Sequence, residues 1–118
     1  MNPAVKQKID DFFSQHPERT FSKGQILVYA GDDPAGIFYL TKGQVKQYDI
    51  NEKGDEIVVN VFKAPSFFPV SWLLNETPNQ YFLESFTQVS VRMAPPEDTL
   101  KFISANNDVA LDLSLIHI

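Results

Sequence analysis

The first residues of the chain carry a single apolar stripe on a polar background. Four apolar side chains recur at i, i+4, i+7 and i+8, the spacing of one helix face. They are Val5, Ile9, Phe12 and Phe13. Pro3 suits a first helical turn, and Pro17 prevents continuation. The pattern predicts a helix over residues 3–15, within an N-terminal helical segment 1–16.

The apolar pattern then changes from a helical period to short β-rich runs. Between residues 20 and 62 the runs are TFSK, ILVYA, GIFYLT, QVKQYDI and DEIVVNVF. All five glycines lie between Gly24 and Gly54, four of them at or beside a run boundary. Glycine supplies the positive φ that tight β turns require, and the Asn51–Gly54 segment is predicted to be a hairpin loop. The regular spacing favours two antiparallel sheets over βαβ units.

A compact, proline-bounded and aromatic-rich insert interrupts this series over residues 64–79. Two more β runs follow it, QYFLESF and TQVSVRMA. In the second, Val89, Val91 and Met93 alternate with Ser90 and Arg92, as in a half-buried strand. The pattern predicts a β-roll over residues 20–94.

Helical signals return after the β-roll, over residues 96–118. Pro95-Pro96 ends the β part, and Glu97 and Asp98 then place negative charge where a helix N-terminus favours it. Asn106-Asn107 breaks this first helix.

A second helix is predicted from there, with Asp108 as its cap and Val109, Leu113 and Ile116 on one face. It has no C-terminal cap and stops inside an apolar run ending in SLIHI, which resembles translated adapter sequence. From this ending we expect a fragment of a longer protein.

Composition limits the possible function classes. The 118 residues suit one domain, residues 1–118, and 43% apolar with 21% charged residues is typical of a globular protein. Fifteen acidic and ten basic residues give a net charge of −5, which argues against a duplex-binding surface within this chain. No run resembles a membrane span or a signal peptide. We expect no membrane contact and a cytoplasmic location.

Catalytic and metal-binding patterns are missing from the sequence. There is no cysteine, which excludes thiolate nucleophiles, disulfides and thiolate metal ligands. His16 and His117 are isolated from one another and from carboxylates at ligand spacing. No Ser/His/Asp arrangement and no G-x-S-x-G motif occurs. The prediction is therefore a protein that is not an enzyme, with no metal site and no cofactor.

Three stretches resemble a known family. They are FSKGQIL (residues 21–27) with AGD at 30–32, GIFYLTKGQV (36–45), and NDVALDLS (107–114). Together they resemble the cyclic-nucleotide-binding domain of catabolite-activator and FNR-type (CRP/FNR) bacterial transcription regulators. The resemblance implies a mainly β fold, a double-stranded β-helix or jelly roll with flanking helices. It also implies a ligand-sensing domain that is homodimeric in the full-length protein through its last helix. The helix-turn-helix domain that would contact DNA is absent from these residues.

The ligand-binding motif of that family is altered in this chain. Cyclic-nucleotide-binding members place a Gly-Glu pair after a strand, the glutamate holding the ribose, and an Arg-Ser or Arg-Thr pair about ten residues later for the phosphate. On alignment, Pro69 and Val70 fall at the first pair, and Gln80 and Tyr81 at the second. No Arg or Lys occurs over residues 64–91. A phosphate needs charged donors or free backbone N–H groups, so the sequence predicts a degenerate cassette that does not bind cyclic AMP.

The resemblance nevertheless predicts where an unidentified small-molecule effector would bind. The expected pocket positions are Phe68, Pro69, Val70, Ser71, Trp72, Gln80, Tyr81 and Phe82. The aromatic residues here allow three interpretations: core that fills the end of the roll, an apolar small-molecule pocket, or a contact with a missing domain or second subunit. The predicted function is a sensor domain, and the alternatives are a free-standing interaction or scaffold module and a cyclic-nucleotide receptor with an atypical cassette.

Overall fold

The computed structural model describes residues 2–116 of the chain, with side chains as far as Asp112. Within this range the elements are, in order, α1 (Pro3–Ser14), β1 (Glu18–Phe21), β2 (Ile26–Val28), β3 (Ile37–Lys42), β4 (Gln44–Ile50), β5 (Glu56–Lys63), β6 (Ser66–Phe68), α2 (Val70–Asn75), β7 (Phe82–Ser85), β8 (Val89–Ala94), α3 (Pro96–Ala105) and α4 (Asn107–Ile116). The strands form two antiparallel sheets, ordered β1-β8-β3-β6 and β2-β7-β4-β5. The predicted mainly β jelly roll with flanking helices is confirmed.

Strand β3, in the middle of the first sheet, is buried on both faces, and its sequence shows why. Strand β3 is apolar at four successive positions, Ile37 to Leu40, all of them buried. Ile37 and Tyr39 pack with the helices, whereas Phe38 and Leu40 pack against the second sheet. Because side chains alternate across a strand, only a strand covered on both sides has a continuous apolar run.

Helix α1 covers the outer face of this sheet, as its apolar stripe predicts. Val5, Ile9 and Phe13 are buried, and the Phe13 ring lies 5.2 Å from that of Tyr39 and 5.6 Å from that of Phe67. Asn2 caps the helix by accepting a hydrogen bond from the backbone N–H of Ala4 at 2.8 Å. The predicted N-terminal helix is confirmed.

The second sheet has one face on the core and the other in solvent. Its edge strand β5 is exposed over most of its length, whereas the inward residues Val45 and Leu83 of β4 and β7 are buried. The predicted hairpin loop joins β4 to β5, and the Asn51 side-chain oxygen accepts hydrogen bonds from the backbone of Lys53 and Asp55, each at 2.9 Å. No helix in the described part of the chain is long and apolar enough to cross a membrane.

Several predicted boundaries were wrong. The first strand is Glu18–Phe21 and not residues 20–23, because Ser22 already accepts a turn hydrogen bond from the Gln25 N–H at 3.1 Å. Helix α4 begins at Asn107, so Asp108 lies in its first turn and not at its cap. Its carboxylate pairs with Lys8 at 2.7 Å, which ties α4 to α1.

Part of the predicted second helix cannot be compared with the structure. Val109 is fully buried, in agreement with the predicted apolar face. The side chains of Leu113 and Ile116, and residues 117 and 118, lie outside the described residues.

Candidate functional site

A cavity lies between helix α2 and the inner face of the second sheet, and we call it the α2 cavity. Its inner part has a volume of about 110 Å³ and its outer part about 170 Å³. The two parts adjoin, because both are lined by Gln47, Pro69, Ser71 and Asn79. The inner part is also lined by Asn60, Phe62, Phe68, Val70 and Leu83. The outer part is also lined by Trp72, Thr77, Pro78, Gln80 and Tyr81.

The register of the strands places the lining residues of the second sheet side by side. Gln47 of β4 stands directly opposite Leu83 on β7 and Asn60 on β5, so the three side chains share the inner face. The β4–β5 register shifts just after this point, between Gln47 and Tyr48. The sheet therefore presents two amide side chains beside apolar residues.

Helix α2 and the loop behind it form the other side. The helix buries Val70 and Leu73 and ends at Asn75, and its C-cap residue Glu76 has a left-handed φ of 54°. The following loop is held by Asn79, whose side-chain amide donates to the carbonyls of Tyr29 at 3.0 Å and Asp32 at 3.1 Å. Asn79 therefore fixes the cavity loop to the loop after β2.

The structure brings seven of the eight predicted pocket residues to the cavity. They are Phe68, Pro69, Val70, Ser71, Trp72, Gln80 and Tyr81. Phe82 is not among the lining residues. Its neighbour Leu83 points inward, so Phe82 projects from the opposite face of β7, where its ring stacks on Tyr48 at 5.2 Å.

The aromatic residues of the insert do not form one cluster. Phe67 packs with the helices, together with Leu73 and partly buried Trp72, whereas Phe68 packs between the sheets. This division follows the two-residue period of β6. Core is therefore the correct interpretation for Phe67, Phe68 and Leu73, although Phe68 also lines the cavity. Trp72 and Tyr81 line the outer part of the cavity.

The pocket predicted from the sequence contained none of the lining residues that come from the second sheet. Gln47, Asn60, Phe62 and Leu83 were absent from the predicted pocket, as was the loop residue Asn79. One local signal exists: Gln47 alternates with buried Val45, so it is a polar residue on an inward-facing position. The partner strands of β4 are set by non-local pairing, so the other residues had no comparable local signal.

No charged side chain lines the described cavity. The ammonium of Lys46, next to Gln47 in sequence, lies on the outer face of the sheet, 2.5 Å from Glu56 and 3.3 Å from Glu84. The hydrogen bond that Lys46 donates to Glu56, with a second one to Glu84, holds the pKa of Lys46 above its usual value. Among the described residues, no group of three or more metal-ligating side chains could hold a metal ion.

Curated proteins similar to this chain are bacterial transcription regulators. The chain is 30% identical over 94 residues to a global nitrogen regulator of Nostoc sp., which is 78% of this chain and 42% of that protein. It is 30% identical over 100 residues to the HTH-type transcriptional regulator ArcR of Staphylococcus haemolyticus, covering 85% of this chain and 43% of that protein. The chain thus spans less than half the length of these relatives.

Solved structures show the same fold. The catabolite activator protein of Thermus thermophilus has a TM-score of 0.78 at 20% identity, over 98% of this chain and 53% of that one. The sensor domain of the transcriptional regulator DNR from Pseudomonas aeruginosa has a TM-score of 0.74 at 20% identity, over 98% and 75%. The sequence model of the family described as "Cyclic nucleotide-binding domain" matches residues 18–106. This match includes all eight strands and the whole α2 cavity, and the chain belongs to the cyclic nucleotide-binding domain family.

Proposed function

We propose that this chain is the effector-sensing, non-catalytic domain of a CRP/FNR-type transcription regulator, and that its α2 cavity does not bind cyclic AMP or cyclic GMP. The observation that carries the proposal is the cavity lining, which lies where the family resemblance places the ligand and contains no charged side chain. The domain keeps the architecture of a sensor and lacks the groups that hold a cyclic phosphate.

The residues that line the cavity offer no charged partner to a phosphate. Gln80 and Tyr81 line the outer part, where the resemblance expects an arginine and a hydroxyl residue, and Pro69 lines both parts without a backbone N–H to donate. Two cations are next to lining residues in sequence. Lys46, beside Gln47, is engaged by two carboxylates on the other face of the sheet, and Lys63, beside inward-facing Phe62, is exposed on that same outer face. A cyclic phosphate would enter without a charged partner.

The missing charged contacts weaken the binding of a cyclic nucleotide by a large factor. A hydrogen bond to a charged group contributes about 1.5–3 kcal/mol, whereas an unpaired buried charge costs more than this. Losing one such bond weakens binding by about tenfold to a hundredfold. Val70 removes the ribose contact as well, because its side chain is buried and has no polar atom. The combined loss moves a micromolar receptor out of the physiological range.

The proposal extends to the whole protein. We place DNA contact outside residues 1–118, because these carry a net charge of −5. We place the homodimer contact on the last helix, where Leu111 is 66% exposed and apolar. The protein would work in the cytoplasm, where a regulator can reach the chromosome. The similarity to transcription regulators supports each of these statements.

Titration with cyclic AMP and cyclic GMP tests the main claim. Trp72 is the only tryptophan and lines the cavity, so its fluorescence reports binding, and isothermal calorimetry gives a second readout. We expect no saturable binding below about millimolar nucleotide. Saturation in the micromolar range would overturn the proposal.

A pair of variants tests whether the missing charge is the reason. Gln80→Arg adds a cation to the cavity lining, and Gln88→Arg adds one at an exposed position outside it. We expect Gln80→Arg alone to increase affinity for cyclic AMP, by about tenfold or more. Equal effects of the two variants would show that general electrostatic attraction, and not the cavity lining, decides binding.

A further inference from the structure

The size of the α2 cavity limits what it can hold. Small-molecule pockets for drug-sized ligands usually measure about 300–1,000 Å³. The two parts of this cavity measure about 110 and 170 Å³. An apolar cavity of about 150 Å³ holds one benzene molecule. On that scale, the outer part admits about one six-membered ring, and the inner part admits a smaller polar group.

The polar groups of the lining fall into two classes. Asn79 is occupied, because its amide group is hydrogen-bonded to the backbone of Tyr29, Asp32 and Tyr81. The second class has no hydrogen-bond partner among the described residues. It comprises the side chains of Gln47, Asn60, Ser71, Thr77, Gln80 and Tyr81. These unpartnered groups are therefore the ones available to a ligand.

The second class is uncharged and has both donors and acceptors. Each amide offers one carbonyl oxygen and two N–H donors, and the serine hydroxyl both donates and accepts. Gln47 matters most, because among the described amide side chains without a partner it alone lines both parts of the cavity. A ligand carrying a carboxamide or a similar group would match an amide of this kind with two opposed hydrogen bonds.

A charged ligand would find no compensation in the lining. Moving an ion out of water without a paired charge is strongly unfavourable. The Asp33 carboxylate lies beside the outer part, where it accepts a hydrogen bond from the Trp72 indole at 3.4 Å, and it is itself exposed. An exposed carboxylate outside the lining is screened by water and contributes little to a bound cation.

We propose that the α2 cavity binds a small, uncharged ligand with one six-membered ring and a carboxamide-like group that both donates and accepts hydrogen bonds. The ring occupies the more apolar outer part beside Trp72 and Tyr81, and the polar group meets Gln47. This inference rests on the proposed function, since it assumes that the cavity is the effector site.

Three probes of nearly equal shape separate charge from size. Benzamide is neutral, benzoate is an anion and benzamidinium is a cation. Fragments of this size bind weakly, in about the millimolar range, so ligand-observed NMR and Trp72 fluorescence are suitable readouts. We expect the dissociation constant of benzamide to be at least about tenfold lower than those of the other two. Comparable binding of benzoate or benzamidinium, or no binding of benzamide, would overturn the inference.

Two isosteric variants test the role assigned to Gln47. Gln47→Glu places a carboxylate in the cavity and should reverse the preference, weakening benzamide and strengthening benzamidinium by about tenfold. Gln88→Glu adds the same charge at an exposed position outside the lining and should leave the preference unchanged. If both variants behave alike, Gln47 does not contact the ligand. Gln80→Glu, on the outer part, replaces Gln47→Glu should the latter fail to fold by circular dichroism.

The results separate this inference from the proposed function. Cyclic nucleotide binding by the wild-type protein would contradict the proposed function, whatever the probes do. Benzamide binding no tighter than that of benzoate, together with no cyclic nucleotide binding, would refute only the ligand class stated above.

Discussion

The turn between β3 and β4 offers a sharp test of the fold. Gly43 has a φ of +89°, and a Cβ atom built on it would lie 2.3 Å from the Gln88 carbonyl oxygen and 2.7 Å from the Thr87 hydroxyl. Gly54, in the next turn, has a nearly identical φ of +85° and no atom within 4 Å of such a Cβ. The two glycines therefore share a backbone conformation and differ in steric surroundings.

The comparison Gly43→Ala with Gly54→Ala isolates the steric contribution. A left-handed conformation costs an alanine about 1–2 kcal/mol, which applies to both variants. The entropy lost by the unfolded chain is also common to both and cancels. At Gly43 the blocking atom is a backbone oxygen, and forcing extra volume into packed structure costs about 1–3 kcal/mol more. We expect free energies of unfolding lower by about 1–2 kcal/mol for Gly54→Ala and about 2–5 kcal/mol for Gly43→Ala.

Urea unfolding followed by far-ultraviolet circular dichroism measures both values under one set of conditions. Each variant is compared with the wild-type protein at the same pH and temperature. Equal destabilisation within about 0.5 kcal/mol would refute the reasoning, since it would mean that the Gln88 carbonyl moves aside at no cost. The result also bears on the sequence motif, because it decides whether the glycine of Lys42-Gly43 is required by its φ alone.

Two further predictions concern the aromatic side chains of Tyr39 and Trp72. The buried Tyr39 hydroxyl donates a hydrogen bond to Asp10 at 2.5 Å. Burial raises the pKa of Asp10, but hydrogen bonds from Lys6 and Tyr39 lower it by more. The pKa of Asp10 therefore lies below the 3.8 of a free aspartate. Asp10 therefore stabilises the fold above pH 3.8, and this stabilisation is lost as the pH falls through the lower folded-state pKa. Tyr39→Phe should lower the free energy of unfolding by about 1–2 kcal/mol at pH 7 and by less near pH 3, as measured by urea unfolding at each pH. An equal loss at the two pH values would contradict a hydrogen bond between Tyr39 and ionised Asp10. Trp72→Ala should lower the free energy of unfolding by about 1–3 kcal/mol, because Trp72 is only partly buried. Phe13 is fully buried, so Phe13→Ala should lower it by roughly 3–5 kcal/mol. Equal losses, measured by circular dichroism, would show that Trp72 is core and not cavity lining.

Local patterns predicted the elements well where one period dominates. The stripe from Val5 to Phe13 is a helix against the sheet, and the alternation of Val89 and Val91 is a strand. Helix α2 was not predicted, because a six-residue helix between prolines shows too little of a helical period. The position of Phe82 outside the cavity lining has a similar origin, since the inward face of β7 is set by pairing with β4 and not by its own residues.

The sequence by itself determined the family, the fold class and the absence of Lys and Arg over residues 64–91. These properties depend on residue identity and on spacing along the chain, so they can be read directly. Only the tertiary structure decided that Gln47 and Asn60 face Ser71 across one cavity with no partners of their own. Strand register is fixed by contacts between residues far apart in the chain, and a shift of one residue would turn Gln47 to the solvent side.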